Sequence, residues 1–193
     1  MALGLSLARG AEPLVLTQYE HSVVLMSAEP VQINFTVTGS GWGTVALRIG
    51  SSTFTIDAVS YCTDVVGDLL RGALTLVTGE YFARASFDGE PHEWRLVVSS
   101  PGDGITLQCG CSIKVLEFAN INESLPDKEG RLTFEADCML GDFATAVLEM
   151  ARGVMNAGGI EAYRWGNWPF PLRAFRALES ALDIGDLPRT LGA

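Results

Sequence analysis

The chain has 193 residues, of which 48% are hydrophobic and only 19% charged, a balance that excludes general disorder and suits one packed globular domain, 1–193, rather than two. Its formal net charge is −10, from 23 acidic and 13 basic side chains. An acidic body opposes binding to nucleic acid and to anionic membrane surfaces, both of which rest on Lys and Arg, and suits a basic partner.

The opening MALGLSLARGAEP carries a short apolar run with no basic segment before it, so a signal peptide is not expected. No stretch approaches the ~20 apolar residues of a membrane-spanning helix. A cytoplasmic location follows as the expectation, with Cys62, Cys109, Cys111 and Cys138 reduced, since a domain of this size needs no disulfide staples. Residues 31–37 then alternate, Val31, Ile33, Phe35 and Val37 against Gln32, Asn34 and Thr36, the mark of a half-buried strand. Turn residues Gly39-Ser40-Gly41 and Gly50-Ser51-Ser52 separate it from two more short strands, around Val45–Ile49 and Phe54–Ile56, which together read as an antiparallel meander.

From Ser60 to Thr78 the period changes to about 3.6. Val65, Leu69, Ala73, Leu76 and Val77 share one helical face, and Gly79 stands where the helix stops. Strands resume at 81–87, at 92–98 with His92, Trp94, Leu96 and Val98 on one face, and at 104–109, 111–118 and 131–136, while Asn120–Gly130 reads as a polar loop. A second helix spans Met139–Asn156, ended by Gly158-Gly159, and a third spans 172–183. Between them lies Tyr163-Arg164-Trp165-Gly166-Asn167-Trp168-Pro169-Phe170-Pro171, whose prolines forbid a helix and imply a stiff, extended connection. The order predicts an α+β fold: an antiparallel sheet with a crossover helix and C-terminal helices packed on one face.

Few constellations carry chemistry. Asp64 and Asp68 are four apart on the first helix and form a candidate acidic site with Tyr61, although first-turn acids are also favoured by the helix dipole and Arg71 is placed to pair with them. Cys109-Gly110-Cys111 puts two thiols on one side of a strand, with Cys62 or Cys138 available to complete four ligands. The usual zinc knuckle sets two residues between its cysteines, so no metal is expected. No phosphate-cradling glycine pattern follows a strand, and His21 and His92 belong to no motif, so no cofactor and no catalytic set is expected. The aromatic segment stands apart. Trp165, Trp168, Phe170 and Tyr163 are candidate partner-binding residues, because large aromatic rings dominate interface energetics, and first of all candidates to finish the protein's own core by locking the C-terminal helices onto the sheet.

Ser60-Tyr61-Cys62-Thr63-Asp64 followed by Gly67-Asp68-Leu69-Leu70, with Glu90-Pro91 downstream and Tyr163, Trp168 and Phe170-Pro171 near the end, resembles a family of small uncharacterised bacterial proteins with a "SYxxD…DLL" block and a "Y…W…FP" segment. Position 62 is Cys where that pattern suggests Leu or similar. Proteins that look like this family include immunity proteins that neutralise toxins, a class with no active site to transfer. Together with the absent catalytic set, the −10 charge and the aromatic segment, the resemblance implies a non-catalytic protein-binding protein, immunity-like, facing a basic toxin. Two other classes stay open: a small enzyme with a site near Tyr61, Asp64 and Asp68, and a structural subunit of a homo-oligomer.

Overall fold

The alternation of Val31, Ile33 and Phe35 with polar neighbours becomes strand β1 (Val31–Gly39), which pairs antiparallel with β2 (Trp42–Ile49), itself paired with β3 (Ser52–Ser60). Ile33, Phe35, Val45, Leu47, Ile49 and Ile56 are buried, whereas Val37, at the far end of the β1 face, is exposed. Helix α1 (Val65–Val77) follows, and a second antiparallel meander in sequence order comprises β4 (Phe82–Asp88), β5 (Glu93–Ser99), β6 (Gly110–Phe118) and β7 (Arg131–Met139). Helices α2 (Leu140–Gly158) and α3 (Leu172–Gly185) complete the chain. The computed structural model describes residues 30–100, 107–160, 163 and 165–185. The opening apolar run, His21 and residues 104–106 of the expected 104–109 strand lie outside the described residues, and 107–109 form a turn into β6.

The fold is therefore α+β and antiparallel, with the strands divided between a three-stranded and a four-stranded sheet. α1 intervenes between β3 and β4 and ends the first ladder. Phe54 of β3 bridges the two sheets, its ring 5.9 Å from Trp94 of β5 and 5.7 Å from Phe134 of β7. α1 packs on β4, α2 lies against β1 and β7, and α3 closes on both helices, so one continuous cluster of buried apolar side chains links both sheets to all three helices. No helix among the described residues is long and apolar enough to cross a membrane.

Strand β5 departs from the expected one-sided pattern. His92 falls before the strand and is exposed, and the face opposite Leu96 and Val98 is buried as well, carrying Glu93, Arg95 and Val97. Both charged side chains are 0% exposed. The Arg95 guanidinium donates to Glu93 at 2.5 Å, to Asp127 at 2.9 Å and to the carbonyls of Leu125 and Asn122, and lies 4.0 Å from the Phe118 ring centroid. The Asn122 N–H donates to Glu93 at 3.0 Å. Burial alone would push the Glu93 carboxyl up, but these donors hold it below its usual value. The pair thus fastens the 119–130 loop over the sheet's second face, where Val97, Leu116 and Phe118 form a small satellite core with Leu125. Removing one partner of such a pair strands the other charge away from water. Arg95→Ala should therefore cost about 3–5 kcal/mol of stability, read by urea unfolding, and should expose the loop to limited proteolysis before the rest of the fold opens.

Candidate functional site

The two groups of residues singled out in the sequence, Tyr61/Asp64/Asp68 and Tyr163/Trp165/Trp168/Phe170, meet at one place. That place is the turn Ser60–Asp64 between β3 and α1. The chain must reverse there from strand to helix, and contacts from four directions hold it. Asp64 caps α1, its carboxylate accepting from the Gly67 N–H at 3.1 Å and from Arg71 at 2.8 Å. Arg71 also donates to Asp68 at 2.7 Å. The Thr63 hydroxyl donates to the Ser60 carbonyl and accepts from the Asp88 N–H, tying the turn to the end of β4. The Tyr61 N–H donates to the Gly41 carbonyl at 2.9 Å, tying it to the β1–β2 hairpin.

The fourth direction is the aromatic segment, which is not the extended connection its prolines suggested. Residues 165–168 form a tight turn with a bridge between Trp165 and Trp168 and a bond from the Trp168 N–H to the Trp165 carbonyl at 2.9 Å. Gly166 makes this turn possible, adopting φ 57° at the first central position, as type I′ and II′ turns require. The fold brings the two indoles back onto the same turn. Trp165 donates through Nε1 to the Thr63 carbonyl at 2.7 Å, and Trp168 donates through Nε1 to the Tyr61 carbonyl at 3.0 Å. Tyr61 itself is wedged between glycines: a Cβ on Gly41 would lie 2.5 Å from its ring, and one on Gly166 would lie 2.9 Å from it.

The four rings of the segment divide by exposure. Trp165 is 1% exposed and stands edge-on to Phe35 of β1 at 4.9 Å. Phe170 is buried between Tyr163 and Phe175 of α3, at 5.8 and 5.9 Å. Tyr163 is buried too, and burial together with the Asp64 charge pushes its phenol above the ordinary range. Trp168 alone presents surface, at 39% exposure, beside Tyr61 at 47%.

Beside the 60–64 turn that carries these rings stands a group of carboxylates that the linear sequence does not bring together. Glu90, at φ 34° in a backbone region that non-glycine residues seldom occupy, is held by the Ser60 hydroxyl and faces the Cys62 thiol at 3.7 Å. Burial raises the Asp88 carboxyl, and the charges of Glu93, Glu123 and Glu90 raise it further. Burial likewise raises Asp68, with Asp64 and Glu123 adding to the rise against the opposing pull of Arg71. Glu123 thus acts on both Asp68 and Asp88, and it arrives on the loop that the buried Glu93–Arg95 pair fastens. Asp88, Glu90 and Glu123 were missed because they come from a hairpin tip and a loop over thirty residues apart. Tyr61, Asp64 and Asp68, close together in sequence, and the aromatic segment were readable in advance.

The cysteines take other places. Cys111 and Cys138 face each other across β6 and β7 with sulfurs 3.6 Å apart, the Cys138 contact and burial pushing the Cys111 thiol well above its ordinary value. Cys109 lies before β6, beside Ser100, and Cys62 is exposed on the turn. Among the described residues no three His, Cys, Asp or Glu side chains are arranged to hold a metal ion. Compared with protein-family models, curated proteins and solved structures, the chain finds no match.

The raised Asp88 carboxyl gives a signed expectation. A carboxyl whose folded pKa exceeds its unfolded value binds its proton more tightly when folded, so stability grows as pH falls through the folded value and levels off below the unfolded one. Above that window the charged form carries a penalty. Asp88→Asn should raise the urea midpoint at pH 7 and leave it unchanged at pH 3, where the wild-type carboxyl is already neutral.

Proposed function

We propose that this chain is a non-catalytic binding protein that receives a basic protein partner on the surface of Trp168 and Tyr61, in the manner of an immunity protein neutralising a basic toxin in the cytoplasm. The observation that carries the reading is the nearness of two exposed aromatic rings, both fixed by main-chain contacts, to a group of carboxylates in which burial and neighbouring acidic charges raise Asp88, and burial together with Asp64 and Glu123 raises Asp68. Crowded like charges lower the stability of the free protein. A partner rich in Arg and Lys relieves that repulsion and adds cation–π contact with the rings. Aromatic anchors at the centre and charges at the rim form the usual anatomy of a specific interface.

A catalytic role for Tyr61, Asp64 and Asp68 has less support. Both oxygens of Asp64 are engaged, one by the Gly67 N–H and one by Arg71, and Asp68 shares the same guanidinium. The arrangement caps a helix and turns its first carboxylates away from proton-transfer work.

The test is capture from a lysate of the native host on the immobilised full-length chain at about 0.15 M salt. A basic protein should be retained and released by added salt. Trp168→Ala should weaken its binding by about 2 kcal/mol or more while the urea-unfolding midpoint stays near wild type. Failure of the wild type to retain any protein, or equal retention by Trp168→Ala, would overturn the proposal.

A further inference from the structure

Cys111 and Cys138 are directly opposed residues of neighbouring strands, Cys111 the second residue of β6 and Cys138 the last but one of β7. Both are buried, and their sulfurs lie 3.6 Å apart, one thiol donating to the other. A buried cysteine often serves only as a small apolar side chain. Two in register can bond to each other. Opposite residues of an antiparallel pair have Cα atoms about 4.5–5.5 Å apart, inside the range of about 4.4–6.8 Å that a disulfide spans. A small rotation of the two side chains therefore brings the sulfurs to bonding distance while the strands keep their places. Cys62 faces Glu90 and Cys109 faces Ser100, so among the described residues only Cys111 and Cys138 present two sulfurs to each other.

The pair sits at the open end of the β6–β7 hairpin. The other end is the 119–130 connection, which the Glu93–Arg95 pair fastens and which carries Glu123. α2 starts at Leu140, two residues beyond Cys138, and the Leu140 N–H donates to the Cys109 carbonyl at 2.9 Å. A bond between the two sulfurs would close β6, the connection and β7 into one ring and fix the point at which β7 passes into α2. Such a ring leaves the unfolded chain fewer conformations and costs the folded chain little, because its ends already touch.

We propose that Cys111 and Cys138 are a redox pair, reduced at rest and joined by hydrogen peroxide into a cross-strand disulfide that clasps β6 to β7. Peroxide, little larger than water, is the oxidant suited to so enclosed a pair. One sulfur attacks a peroxide oxygen, the O–O bond breaks, and the departing oxygen leaves as water with the thiol proton, giving a sulfenic acid. The second sulfur then displaces the sulfenic oxygen, which departs as another water with the second thiol's proton. Two thiols and one peroxide give one disulfide and two waters, the sulfurs losing two electrons and the peroxide oxygens gaining them. The Cys138 contact and burial hold the Cys111 thiol well above its ordinary value, so it keeps its proton and reacts slowly. The clasp is accordingly set by sustained oxidant and not by a trace of it.

Peptide mass mapping of the full-length chain, treated with hydrogen peroxide in buffer without denaturant and then alkylated, tests the proposal. A linked Cys111–Cys138 peptide should appear and should be lost on addition of dithiothreitol. The Cys62→Ser/Cys109→Ser variant, which keeps only the pair, should lose both of its free thiols, and its oxidised form should unfold at a higher urea concentration than its reduced form. The wild-type map reads the linkage whether or not that variant folds. Free thiols at both positions after prolonged treatment, or a linkage that forms only in urea, would overturn the proposal. So would oxidation of either cysteine to a sulfinic acid without linkage, or a linked chain no more stable than the reduced one.

Discussion

The indole of Trp165 is the point on which the rest of the molecule converges. Its ring is buried against Phe35 of the first sheet and its N–H satisfies the carbonyl of Thr63, at the turn where that sheet hands the chain to α1. A tryptophan placed so far along the chain thereby joins the three-stranded sheet, the first helix and the C-terminal segment. Without the Trp165 N–H, the partly buried Thr63 carbonyl would lose this donor, a hydrogen bond worth about 0.5–1.5 kcal/mol. Because Trp165 is fixed, the two-residue turn after it fixes Trp168, and Trp168 in turn bonds the backbone of Tyr61. The exposed rings are held in place by a buried one.

The same arrangement decides where charge accumulates. The β4–β5 hairpin brings Asp88 and Glu90 to the turn, while the Glu93–Arg95 pair on the next strand fastens the loop that carries Glu123. Arg71 neutralises part of this field at Asp64 and Asp68, whereas at Asp88 burial and the charges of Glu93, Glu123 and Glu90 all act in one direction. A surface that keeps like charges together gives up stability, as functional surfaces commonly do. In the proposed complex the basic partner supplies the missing positive charge, so one set of carboxylates destabilises the free chain and steers the encounter.

Much of the fold was legible in the sequence because it rests on local periodicity. The alternation at 31–37, the 3.6-residue spacing from Val65 to Val77 and the glycines that stop α1 and α2 each mark an element that the structure contains. What periodicity could not convey was the partition of seven strands into two sheets, since strands of either sheet alternate alike. Nor could it show that both faces of β5 are buried: Glu93 and Arg95 read as polar and outward until a distant loop closes over them. At the site, Tyr61, Asp64 and Asp68 were visible because they lie within eight positions of one another, and the tryptophans because they are rare. Their meeting was not visible, for it depends on a left-handed Gly166 that folds the segment back where two prolines suggested extension. Asp88, Glu90 and Glu123 escaped notice for a related reason, being brought together by topology alone.

Exchange of the tryptophan indole N–H protons, followed by NMR in the native protein, tests the central role of Trp165 most directly. The Trp165 Nε1–H should exchange only through global unfolding, with a protection free energy equal to that of the slowest core amides of β2, while the Trp168 Nε1–H exchanges much faster through local opening. Equal, fast exchange of both indoles would contradict the account, because it would mean that the bond to Thr63 opens without the fold and cannot hold the surface above it.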